Sequence, residues 1–123
     1  MTDDPAQQSI VPQSIVRKEL LTAHLGAGRA VGQVDVRQID FAPGQRTGRH
    51  LHPCPVVGYI AKGTVLFQIE GGPLETLREG DAFYEPAQAT ILRFDNASQS
   101  EPLTFIAFYL LGAGEHELIR MLE

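Results

Sequence analysis

Cysteine is scarce in this sequence. Cys54 is the only one among 123 residues, so no intramolecular disulfide can form and a reducing compartment suffices. An excess of positive charge is missing as well. Lys and Arg number 10 against 15 Asp and Glu, for a formal net charge of -5. That removes the basic footprint of a nucleic-acid binder, and no helix-turn-helix segment is visible. Long apolar runs are also absent. The most apolar stretch, LTFIAFYLL at 103–111, falls well short of the ~20 residues a membrane span needs and reads as a buried strand. The first residues, MTDDPAQQSI, open with acids and lack the basic and apolar regions of a signal peptide. The expectations are a cytoplasmic location, no nucleic-acid partner and no membrane.

The composition, 43% hydrophobic and 20% charged, is that of an ordinary soluble globule with one core. Residues 1–13 are polar with two prolines and read as a flexible arm, leaving 14–123 as a single domain. SIV recurs at 9–11 and 14–16, too short to mark a structural repeat. From there short β-rich runs alternate with turn signals. IVRKELLTAHL (15–25) reads as strand or helix, with a strand favoured because such segments often complete a neighbouring sheet. VDVRQIDFA (34–42) is another, with a bulge where its apolar phase slips between Val36 and Ile39. VVGYIA and TVLFQIE flank Lys62-Gly63 as a hairpin. LETL, AFYE, TILRF and LTFIAFYLL follow, separated by turns. Only EHELIRMLE at the end looks helical, with Leu118, Ile119 and Leu122 as an apolar stripe. Many short strands at this spacing predict an all-β sandwich or closed barrel.

Within HLHPC, His50 and His52 sit two residues apart. On an extended strand both imidazoles face the same way, an arrangement suited to holding a metal. Cys54 continues that parity, but Pro53 and Pro55 flank it and disturb an ideal strand.

These residues resemble the first motif of the cupin superfamily: a glycine, five residues, His-x-His, three or four residues, a glutamate, six residues and a glycine. Here the match is Gly44-QRTGR-His50-Leu51-His52-PCP-Val56-VGYIAK-Gly63. The second motif resembles Gly80-DAFYE-Pro86-Ala87-Gln88-AT-Ile91-LRF-Asp95, followed by Asn96; Gln88 stands where the family has a glycine and Ile91 where it has a histidine. The resemblance spans roughly residues 34–111. It implies a small antiparallel jelly-roll β-barrel, here with a short C-terminal helix. It also implies a divalent metal held by two motif-1 histidines, a glutamate and a motif-2 histidine. Cupins include dioxygenases, isomerases, decarboxylases and ligand-sensing domains, so the fold leaves the activity open.

Val56 and Ile91 occupy two of those four ligand positions and carry no lone pair, so the motif positions supply half a site. Cys54 and Glu85 are the candidates for a third ligand, Glu85 because it shares a strand face with Phe83. Arg93, two residues after Ile91, either faces inward, where it would favour an anionic ligand, or sits at the rim paired with an acid. Arg46 and Arg49 read as solvated. Cys54 reads as a bland thiol rather than a nucleophile. Tyr59, Tyr84 and Tyr109 read as packing residues. The expected pocket is therefore His50, His52, Val56, Glu85, Ile91 and Arg93, with His50 and His52 as metal or general-base candidates.

Two functions follow. The first is a small-molecule-binding cupin with a degenerate metal site. The second is a metal-dependent enzyme of the dioxygenase or isomerase kind, with a third ligand from outside the motif. A divalent transition metal (zinc, iron, manganese or nickel) is the candidate cofactor. The expected partners are a small-molecule ligand and a second copy of the chain, whose pairing would cover open sheet edges.

Overall fold

The computed structural model describes residues 14–123, and the arm expected over 1–13 lies outside the described residues. Its centre is the longest apolar run of the sequence. In β8 (Leu103–Leu111) burial alternates without a break, so Leu103, Phe105, Ala107, Tyr109 and Leu111 all face the core. This period of two is the pleat of a strand with one wet face. β8 lies between β1 (Gln33–Phe41) and β3 (Val56–Lys62), and β6 (Ala82–Glu85) closes a four-stranded sheet of order β1-β8-β3-β6. The facing sheet has the order β5-β4-β7-β2-β9. Its strands are β2 (His50–Leu51), β4 (Thr64–Ile69), β5 (Glu75–Arg78), β7 (Ile91–Asn96) and β9 (Arg120–Met121). The strand pairings are antiparallel, and the two sheets form the barrel that the strand rhythm predicts, of the jelly-roll type that the resemblance implies.

Aromatic rings fill the space between the sheets. Phe94 meets Phe105 at 4.7 Å and Phe83 at 5.0 Å between ring centroids, with Phe41 and Phe67 completing the cluster in edge-on contacts. Such tilted and edge-on pairs add about 0.5–1.5 kcal/mol each beyond area burial. Gly58 makes room for this cluster. A Cβ there would lie 2.2 Å from the Phe83 ring and 2.5 Å from the Ile106 carbonyl oxygen.

The motif spacing has a backbone cause. Gly44, Gly63 and Gly80 all take positive φ, at 70°, 99° and 94°. Gln88, at the position where the motif has glycine, keeps the same conformation at φ 69°. An L-residue there costs roughly 1–2 kcal/mol. The turn holds Gln88 in place, since its N–H donates to the His52 carbonyl at 2.8 Å.

Four expectations about secondary structure are corrected. VVGYIA and TVLFQIE do not pair as a hairpin, because the chain crosses at Lys62-Gly63 from β3 in one sheet to β4 in the other. Residues 14–32 form no strand. Instead Leu20, Leu21 and Ala23 lie along a groove with Val57, Tyr59, Ala82 and Phe108, on the outer face of the four-stranded sheet. β1 carries no bulge, because its ladder to β8 runs unshifted from Gln33 to Phe41. The phase slip in the sequence arises because Val34 and Val36 face outward, at 50% and 55% exposure, while Ile39 and Phe41 face the core. Finally, the C-terminal segment is not helical. Arg120 and Met121 pair with Leu51 and His50 as β9, and the Leu122 N–H donates to the Arg49 carbonyl at 2.9 Å. Two helical turns are marginal on their own, and pairing with an open strand satisfies the same backbone groups. Among the described residues no helix is long and apolar enough to cross a membrane.

Candidate metal centre

His50 leaves β2 with its side chain fully inside the barrel, at 2% exposure. Its Nδ1 lies 2.8 Å from the Gly48 carbonyl oxygen, a contact that requires the Nδ1 proton. His52 follows the strand and is held the same way, with Nδ1 2.7 Å from the Leu118 carbonyl. Both tautomers are therefore set by the backbone, and both Nε2 atoms are turned over to the cavity. Histidine metal ligands are commonly oriented by such an outer contact on the second ring nitrogen. The two rings meet edge-on at 5.1 Å.

Glu85 closes the group from β6. Its Oε1 lies 2.7 Å from His52 Nε2, and its Oε2 is buried with no hydrogen-bond partner. Burying a carboxylate is costly unless it is paired or bound to a cation, so the orphaned oxygen marks an incomplete coordination set. The donor atoms of His50, His52 and Glu85 all lie within 4.8 Å of one another, and among the described residues they form the group able to hold an ion. Two imidazoles and one carboxylate with open positions suit iron(II) and related divalent metals. The residues present fit such an ion.

The cluster is electrostatically split. Burial pulls the His50 pKa down against its Gly48 hydrogen bond and the Glu85 charge, so this ring is favoured as neutral imidazole. Burial also acts downward on His52, but the Glu85 hydrogen bond and charge and the Leu118 carbonyl together outweigh it, and the net shift is upward. The close approach of Glu85 Oε1 to His52 Nε2 thus favours the protonated ring.

Strand register explains how Glu85 comes to stand beside the motif position. Val56, at the place of the motif glutamate, stands directly opposite Glu85 across β3 and β6. The Glu85 carboxylate lies one strand over from that position, about 4.8 Å, within the same inward-facing row. On its other side Val56 faces Tyr109 of β8. That phenol lines the cavity, meets the His52 ring at 5.8 Å, and is pushed up to about 12 by burial and then by the Glu85 charge. It stays a neutral hydrogen-bond donor at physiological pH. Tyr109, expected as a packing residue, thus also borders the candidate metal group. Its parity with Leu103 and Phe105 in LTFIAFYLL was the available signal, but the register that brings it beside the histidines was not.

The cavity itself measures about 120 Å³ and is lined mainly by apolar groups, including Ile39, Phe41, Phe94 and Ile119, with Thr47 among the few polar ones. Val56 is part of its wall. Ile91 is fully buried opposite His50 but does not line the cavity. Arg93 does not enter the pocket, which corrects its expected place. The ladder slips between Gln68 and Ile69, so that Ile69 faces Ile91 but Gln68 faces Arg93. This bulge reverses the parity of the strand. Arg93 ends half-exposed, 3.3 Å from Asp95. Cys54 also falls outside the metal group. Pro53 and Pro55 break the alternation, and the thiol is fully buried, pushed up by burial and by the Glu115 charge.

A family model described as the cupin domain matches residues 37–109. The chain belongs to the cupin family. Among curated proteins no sequence match was found. Solved structures agree on the fold. A cupin-like protein from Thermotoga maritima is 25% identical with a TM-score of 0.61, over 72% of this chain and 64% of that one. An oxalate oxidase solved with the substrate analogue glycolate is 27% identical with a TM-score of 0.56, over 72% of this cupin and 46% of that chain. A double-stranded β-helix protein from Klebsiella pneumoniae, at 20% identity and a TM-score of 0.60, shares the fold. This cupin thus spans about half the length of the oxalate oxidase and under two thirds of the Thermotoga protein.

Proposed function

We propose that this cupin is a metal-dependent enzyme of the dioxygenase or isomerase kind. In this reading His50, His52 and Glu85 hold one divalent ion. The observation that carries it is the convergence of two backbone-locked Nε2 atoms on a buried carboxylate whose second oxygen has no partner. A bound ion would supply Lewis acidity and open positions for a substrate oxygen. The chain's own residues do the rest. Gly48 and Leu118 keep both imidazoles in the ligating tautomer. Glu85 contributes negative charge where two neutral rings alone would hold a dication weakly. Tyr109 offers a proton for a hydrogen bond to an oxygen in the cavity, and the phenylalanines exclude water.

Size and lining point to a small substrate with a ligating oxygen and an apolar body. A cavity of ~150 Å³ takes benzene, and this one is slightly smaller. Among the described residues no lysine or arginine lines it, which disfavours phosphorylated substrates. The glycolate bound by the oxalate oxidase is of a size that this cavity would take.

Elemental analysis of protein purified without added metal tests the reading, together with reconstitution by Fe²⁺, Mn²⁺, Ni²⁺ and Zn²⁺. Close to one ion per chain is expected, and Glu85→Ala should abolish it. No uptake of any of the four would return the protein to a metal-free binding domain, with the His52–Glu85 contact as purely structural.

A further inference from the structure

Most of the cavity wall stands on core strands, but one part does not. Of the described residues that line the cavity, Ile119 is the one that is exposed, at 42%. It belongs to a C-terminal strap, residues 112–123, that passes the cavity on its way to β9.

The strap is anchored firmly at its base. Glu115 pairs with Arg29 at 2.7 Å and accepts from the Gly112 N–H at 2.7 Å, and Arg29 also donates to the Leu110 carbonyl at 3.1 Å. Gly114, beside this anchor, takes φ 77°, a conformation that glycine adopts without steric cost. The far end is held lightly. β9 is two residues long, exposed, at the edge of its sheet, and paired with the equally short β2. Beyond it the Leu122 N–H donates to the Arg49 carbonyl, and Arg49 donates to the Glu123 carbonyl. Segments with few buried contacts and exposed backbone hydrogen bonds open locally, well below the cost of global unfolding.

Between these ends lies the link to the metal group. Leu118 packs half-buried against the core, and its carbonyl accepts the His52 Nδ1 proton at 2.7 Å. Leu118 and Ile119 are neighbours in the chain. The strap therefore cannot lift Ile119 off the cavity without drawing the acceptor away from His52. His50 is held by Gly48, outside the strap.

We propose that the C-terminal strap is a movable wall of the candidate metal centre, hinged near Gly114, whose opening admits an ion or small ligand and frees the His52 ring. Leu118 is then a positioning residue, acting through His52. Entry of an ion past the strap presupposes the metal site proposed above, whereas release of the His52 ring does not.

A reversible staple tests both. Leu51 and Arg120 are directly opposed across β2 and β9, at a Cα separation that a disulfide spans, and neither lines the cavity. Cys54 is fully buried and gives no background. In the full chain carrying Leu51→Cys with Arg120→Cys, solvent exchange of the His52 Nδ1 proton is followed by NMR without metal. Oxidation should slow it by about tenfold or more, and reduction should restore it. Leu122→Pro removes the donor to Arg49 and should speed the exchange about two- to tenfold, the worth of one net backbone hydrogen bond, while the β8 amides keep their protection. Zn²⁺ uptake should follow the same order, slow when stapled and fast in Leu122→Pro, with the same final stoichiometry. Ring exchange that ignores both the staple and Leu122→Pro overturns the proposal. So does exchange of the β8 amides in step with the His52 proton, because the strap then leaves only with the whole fold. Equal Zn²⁺ uptake rates in stapled and reduced protein overturn the strap as the route of entry. Ring exchange as expected, with no Zn²⁺ bound by any variant, upholds the movable strap and sinks the metal site alone.

Discussion

The most informative perturbation moves the carboxylate across the sheet. Val56 and Glu85 are cross-strand neighbours whose side chains both enter the cavity, with Cβ atoms about 4.5–5.5 Å apart in such a pair. Glu85→Val deletes a ligand and leaves His52 Nε2 without its partner. Losing even an outer contact of a metal ligand costs 10–100-fold in affinity, so loss of the ligand itself should cost about 100-fold or more, near 2.7 kcal/mol. The exchange Val56→Glu with Glu85→Val puts the carboxylate at the motif position and should recover affinity to within about tenfold of the parent. Thermal shift reads this well. Ion at 100 times its Kd stabilises the parent by about 2.7 kcal/mol, which for a domain of this size is roughly 10 °C in Tm. At the same ion concentration the single variant should shift by about 2 °C or less, and the exchanged variant by about 5 °C or more, half of the parent value at a tenfold weaker Kd. Calorimetry with Zn²⁺ and Mn²⁺ gives the affinities directly. Unchanged affinity in Glu85→Val, or an exchanged variant no better than the single one, would refute the claim that both positions aim at the same point.

Tyr109 gives a pH prediction in the metal-free protein. Its folded pKa, about 12, lies above the ordinary 10. The folded state therefore keeps a proton that the unfolded state loses, and stability falls as pH rises from 10 to 12, by up to roughly 2–3 kcal/mol. Chemical unfolding across that range should show the loss, and Tyr109→Phe should flatten it; an unchanged slope would place the cause elsewhere. Phe94→Ala removes the ring on which the aromatic cluster converges and should destabilise the fold by about 3–5 kcal/mol, seen as a fall in the denaturant midpoint without loss of the β-sheet spectrum in buffer. Gln88→Gly relieves a left-handed backbone and should raise stability by up to about 1 kcal/mol. A measured loss there would mean that the Gln88 side chain carries a contact of its own.

Local physics made much of this protein legible from its sequence. Alternation in LTFIAFYLL determined which side of β8 faces the core. The glycine spacing determined where the chain turns, because those turns need positive φ, and even Gln88 obeys. His50 and His52 share a face because side-chain direction on a strand repeats every two residues. What the sequence did not determine is whatever depends on register between distant strands. Glu85 completes the metal group only because β6 pairs with β3 so that it stands opposite Val56, and Tyr109 joins it only through the pairing of β8 with the same strand. A single-residue slip at the β7 bulge turned Arg93 out of the pocket that simple alternation had assigned it. The helical stripe at the C-terminus gave way to β9 because an open strand, His50–Leu51, was there to pair with it. Periodicity is written within a segment, whereas register is fixed by which segments meet, and here the third member of the candidate metal group was decided by register.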